Sequence, residues 1–175
     1  MTEAAVQTGN CFVWSFPSEG DSAFVVRREE GQPIGWLRFE PHGSGLSTAE
    51  WEGRRWTFER TGPPHSAITI RAEGADEPAI FTLWRNGGGS LTLPSGAHYC
   101  WNRKHILSTT WCFRSEQNQS AVCVNQHTGP LVAGGTVTMC CKSAQSPDMP
   151  LLVLLAWYLR ILEFQRLTDS LFVCG

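Results

Sequence analysis

Met149-Pro150-Leu151-Leu152-Val153-Leu154-Leu155-Ala156-Trp157-Tyr158-Leu159 is the longest unbroken apolar run in the chain. Ser146 or Asp148 can receive the free backbone N–H groups of a first helical turn there, and Pro147 and Pro150 are tolerated at such a start. Leu, Met and Ala favour helix, so the stretch predicts a helix from 149 to about Leu167. Its first three turns are apolar on every face and must be covered by protein or by lipid. Residues 149–159 are well short of the roughly 20 apolar residues that cross a bilayer core, and Arg160, Glu163 and Arg166 end the run. We read a buried helix and no transmembrane segment.

Upstream, from residue 10 to 143, the pattern is short β-type runs broken by turn residues. The expected strands are 10–16, 23–28, 34–39, 46–51, 55–60, 66–72, 79–85, 90–93, 98–103, 108–114, 120–125 and 131–142, with residues 170–174 as a short final strand. Ile68 and Ile70 alternate with Thr69 and Arg71, and Trp56 and Phe58 share a face across a turn at Glu52-Gly53-Arg54. About a dozen strands at this spacing have the rhythm of an all-β barrel or sandwich.

A sheet of that size must hide one face and manage its edges. The helix must hide all of its first three turns. One arrangement meets both demands: the sheet curls into a closed antiparallel barrel and the helix threads it. The expected fold is therefore mainly β, a barrel of about twelve strands enclosing one hydrophobic C-terminal helix at about 149–167. Residues 1–9 are expected to form a flexible N-terminus and 10–175 a single domain.

Gly89-Ser90-Leu91-Thr92-Leu93-Pro94-Ser95-Gly96-Ala97-His98-Tyr99-Cys100-Trp101 resembles the G-x-L-x-L-x-x-G-x-x-Y-x-W hairpin of LURP-one-related and bacterial tubby-like proteins. Trp111-Cys112-Phe113 continues the likeness, and the ending, Thr136-Val137-Thr138, then the apolar helix, then Leu171-Phe172-Val173-Cys174, is similar to the C-terminal end of the tubby domain. The resemblance covers two stretches in residues and the rest in layout. It implies a barrel around a central helix, the fold shared with phospholipid scramblases. The resemblance does not fix a function: tubby domains bind phosphoinositides and scramblases are linked to membrane lipids, but no head-group position of that family transfers to a residue of this chain.

Fourteen Lys plus Arg against sixteen Asp plus Glu give a net charge of −2. A dedicated nucleic-acid binder would carry a strongly basic footprint, so that partner is excluded. Seven Cys without Cys-x-x-Cys spacing, in a chain whose first residues show no secretory pattern, predict free thiols and a cytoplasmic setting. Asn86-Gly87-Gly88-Gly89-Ser90 has no following Lys and reads as a turn, not a phosphate loop. The five His are scattered without ligand spacing, so neither metal nor cofactor is expected.

A filled barrel leaves no deep interior pocket for catalysis, and the expectation is a non-enzymatic binding or scaffolding domain. The candidate contacts for an anionic lipid head group, or for a protein partner, are the basic turns Arg54-Arg55 and Arg103-Lys104. Two other readings compete: a lipocalin-type carrier with the helix packed outside, and an enzyme with a surface site.

Overall fold

Leu46–Trp51 and Arg54–Thr61 show how the wall of this molecule is made. Trp51 pairs with Arg54 across a two-residue loop, and both loop residues have positive φ, Glu52 at 46° and Gly53 at 82°. That geometry matches the right-handed twist of paired strands. It fixes a register in which Ser47, Ala49, Trp51, Trp56 and Phe58 are all buried, while the residues between them are partly or fully exposed. Arg28 clasps Glu52 at 2.7 Å from the next hairpin.

The computed structural model describes residues 11–15, 23–40, 45–62, 66–129, 132–139 and 146–172; side chains at 126–129, 132–135 and 164–172 stand outside that description. Twelve strands run in chain order: β1 (Cys11–Ser15), β2 (Ala23–Arg28), β3 (Pro33–Phe39), β4 (Leu46–Trp51), β5 (Arg54–Thr61), β6 (Ala67–Ala72), β7 (Ala79–Leu83), β8 (Gly89–Thr92), β9 (His98–Arg103), β10 (Trp111–Ser115), β11 (Ser120–Gly129) and β12 (Val132–Met139). Each pairs antiparallel with its neighbours in sequence, and β1 pairs with β12 from Cys11↔Thr138 to Ser15↔Gly134, which closes the barrel. Closure leaves no edge for another strand to extend. The expected N-terminal segment 1–9 lies outside the described residues.

Helix α1 (Met149–Phe172) threads this wall. Leu152 N–H donates to Asp148 O at 3.0 Å, the first bond of the helix, so Asp148 is the capping residue; Ser146 Oγ accepts from Asp148 N–H at 3.3 Å and fixes the entry. Every residue from Met149 to Leu162 except Pro150 is buried, and Leu152 through Tyr158 are fully so. Trp157 meets Trp14 and Phe24 at centroid distances of 6.0 and 6.1 Å. Tyr158 stacks on Phe39 and Phe58 at 5.3 and 5.0 Å. On the far side Phe81, Phe113, Trp101 and Trp111 form a continuous aromatic chain.

Two expectations need correction. The helix does not stop near Leu167 but runs to Phe172, so the expected final strand is helical over Ser170, Leu171 and Phe172, and its residues 173 and 174 lie outside the described residues. Thr168-Asp169-Ser170 has weak helix propensity, yet no Pro or Gly intervenes. A thirteenth strand would also have had no edge to join. Second, the strand expected from Ser108 begins at Trp111; residues 104–110 are a loop.

Gly89 shows how closely the wall is packed. A Cβ there would collide with the Phe81 ring and lie 2.6 Å from Thr82 O. Since Phe81 is itself fully buried, neither neighbour has room to yield. Gly89→Ala is expected to cost about 1–3 kcal/mol; denaturant unfolding at unchanged m-value would measure it, and wild-type stability would refute this packing.

Candidate functional site

Alternation along β3 to β6 turns one set of side chains outward, and the registers place them in rows. Arg38 pairs with Thr48, Thr48 with Thr57, and Thr57 with Arg71. The adjacent row joins Trp36, Glu50 and Arg55. All of these but Glu50 line a cleft of about 530 Å³ on the outer wall, completed by Ala49, Trp56, Ala72 and Glu73. That volume falls within the range of small-ligand sites, about 300–1,000 Å³.

The charges in the cleft are not equivalent. Arg55 Nε donates to Glu50 Oε2 at 2.8 Å, and the hydrogen bond and charge of Glu50, with Glu73 adding to them, raise the Arg55 guanidinium above its ordinary value. Arg38 lies over the Trp36 ring, 5.6 Å from its centroid. Neither Arg38 nor Arg71 has an acidic partner among the described residues. Two guanidiniums thus bracket two threonine hydroxyls, with an indole along one side. Guanidinium forks and hydroxyl donors suit a phosphate or carboxylate.

The four residues singled out in the sequence are not brought together. Arg55 lines the cleft. Arg54, its neighbour in chain, projects elsewhere: it reaches Pro147 O at 3.3 Å and lies over Trp56 at 5.1 Å, near the helix entrance. Arg103 packs over Trp111 at 5.3 Å, where the helix leaves the barrel. Arg160 is buried at that mouth and paired with Glu163; burial lowers its guanidinium pKa, against the pull of Glu163 and with the push of Arg103. Lys104 opens the β9–β10 loop, its carbonyl accepting from Arg114 Nη2 at 3.0 Å.

Sequence reasoning missed Arg38, Thr48, Thr57 and Arg71. The available sign was Trp36 and Arg38 sharing the face of β3 opposite Leu37 and Phe39, which leaves a large aromatic without core to cover it.

The thiols also differ from expectation. Cys112 and Cys123 face one another across β10 and β11 and form a disulfide, so the reading of all seven as free thiols is corrected at this pair. The hairpin register puts them opposite, a relation their spacing of eleven residues does not reveal. Cys11 is a free thiol whose pKa is raised by burial and by Glu29, against a hydrogen bond from Thr138. A raised thiol is a weak nucleophile at neutral pH. Cys100 is free and exposed, and Cys140, Cys141 and Cys174 lie outside the described residues. Among the described residues no group of three or more His, Cys, Asp or Glu converges on a point where a metal could sit. Within those residues no helix is long and apolar enough to cross a membrane.

No family model, no curated protein and no solved structure matches this chain.

Proposed function

We propose that this protein is a non-enzymatic binding module whose outer cleft on β3–β6 takes a phosphate-bearing anion, a lipid head group being the natural source. The observation that carries the reading is the pair Arg38 and Arg71, free of acidic partners among the described residues and set on either side of Thr48 and Thr57. A carboxylate on a protein partner would meet the same donors. Tubby domains, which the Gly89–Trp101 hairpin resembles, include phosphoinositide binders, although that resemblance does not by itself fix a function. The carrier alternative is disfavoured because α1 occupies the interior where an apolar ligand would sit. A cytoplasmic setting agrees with the free thiols of Cys11 and Cys100, whereas the Cys112–Cys123 bond argues for exposure to an oxidant.

Two titrations test the reading, one with soluble inositol trisphosphate and one by sedimentation with phosphatidylcholine vesicles carrying a phosphoinositide. Arg38→Ala/Arg71→Ala is expected to weaken both by about tenfold or more, since each hydrogen bond to a charged group is worth about 1.5–3 kcal/mol. Arg54→Ala should change neither. Equal binding by the double variant, or no binding by the wild type, rejects the cleft. Competition by acidic peptide but not by inorganic phosphate reassigns it to a protein partner.

A further inference from the structure

The β9–β10 connection has a tip that polar loops do not have. His105 O accepts from Ser108 N–H at 2.9 Å, a four-residue turn whose two central positions are Ile106 and Leu107. Turn centres ordinarily hold Gly, Pro, Asn, Asp or Ser. Here they hold two large aliphatics, exposed at 88 % and 92 %. The loop is built rather than slack. Lys104 N–H donates to Thr110 O at 2.8 Å, Thr110 N–H to Ser108 Oγ at 3.0 Å, and Thr110 Oγ1 to Asn125 Oδ1 at 3.0 Å. Arg114 holds the Lys104 carbonyl from the side. Backbone groups of Lys104, His105, Ser108 and Thr110 are thus tied, while the Ile106 and Leu107 side chains are thrust into water.

The strands that carry this tip are basic, and Glu163, a carboxylate lining the same mouth as Arg103, is paired with Arg160. Residues 78–115 contain no Asp or Glu and carry Arg85, Arg103, Lys104 and Arg114, in a chain whose net charge is −2. Those residues make up β7 to β10, four neighbouring strands of the wall. The β7–β8 turn lies at the same barrel end, because successive hairpins alternate ends, and it presents Trp84 at 40 % exposure beside Arg85. Aliphatic tip, flanking cations and an adjacent indole are the chemistry of a segment that enters the boundary of an anionic bilayer.

We propose that the 104–110 loop is a membrane-insertion tip, with Ile106 and Leu107 entering the acyl boundary and Arg103 and Lys104 meeting anionic head groups. Two side chains on a convex turn fall far short of the roughly 800 Å² per partner that a specific protein interface buries. A bilayer asks only for apolar groups at its boundary and opposite charge at its surface. This goes beyond the cleft reading and does not need it.

The test compares the full chain with Ile106→Ser/Leu107→Ser, Ile106→Phe/Leu107→Phe and Lys104→Glu on vesicles of phosphatidylcholine, with and without phosphatidylserine. The serine pair is expected to lose at least about tenfold in partitioning, the phenylalanine pair to match or exceed wild type, and Lys104→Glu to lose about tenfold only on anionic vesicles. Circular dichroism and thermal melting of each variant should match wild type, since these side chains touch no core. Inositol trisphosphate binding, which reads the cleft, should be unchanged in the serine pair, so failure of the loop and failure of the cleft are separately visible. Undiminished partitioning of the serine pair overturns the proposal. So does a wild type that ignores both vesicle types, or one that self-associates through this tip without partitioning.

Discussion

A chain ending at Ser146 is expected in the insoluble fraction on expression, with no cooperative melting of whatever stays in solution. Such a chain keeps all twelve strands and loses only what they surround. Trp14, Trp56, Phe58, Phe81, Trp101 and Phe113 are 3 % exposed or less because Leu152 through Tyr158 lie against the inner wall. The eight large side chains between Leu151 and Leu159 contribute about 2 kcal/mol each on burial. Their sum equals or exceeds the whole stability of an ordinary domain, about 5–15 kcal/mol. Co-expressing residues 146–175 as a separate polypeptide should restore soluble barrel. A truncated protein that is soluble, β-rich and melts sharply would show that the wall stands without its filling.

Trp157→Ala should be the most damaging single substitution on the helix. The indole is fully buried and contacts rings from two strands, Trp14 of β1 and Phe24 of β2. Neither strand can collapse inward to refill the space, because the closed ladder fixes the circumference. A buried Trp→Ala change costs about 3–5 kcal/mol, or about 10 °C in melting temperature for a chain of this size. Trp157→Phe should cost clearly less. It keeps an aromatic body in place and removes an indole N–H that has no partner among the described residues, a group expensive to bury. Calorimetry on both variants decides; equal losses would mean that the N–H is in fact satisfied.

Much of the fold was legible because its periods are clean. Leu46–Trp51 and His98–Arg103 coincide with the expected runs, and Ile68, Ile70, Trp56 and Phe58 all face inward as their alternation required. The helix was legible because a segment apolar on every side has one place to go in a β-rich chain. Its far end was not, since Thr168-Asp169-Ser170 carries weak helix propensity but no true stop. The cleft was illegible for a different reason. Arg38, Thr48, Thr57 and Arg71 stand on four strands, and only the hairpin registers align them. Basic pairs adjacent in chain drew attention instead, yet Arg54 and Arg55 end up serving different surroundings because neighbouring strand residues point to opposite sides. Arg103 and Lys104 were noticed for their charge. What distinguishes their loop is the hydrophobic pair that follows, and periodicity had assigned part of that loop to a strand.

The order of synthesis gives the threaded helix one more consequence. Ribosomes deliver the twelve strands before the segment that serves as their core, and β1 must wait for β12 before Cys11 can find Thr138. Nascent chains of this kind cannot acquire stability piece by piece as they emerge. They spend the whole of translation with greasy strand faces uncovered, the condition that recruits holdase chaperones, and their folding is slowed by the long loop that the first and last strands must close.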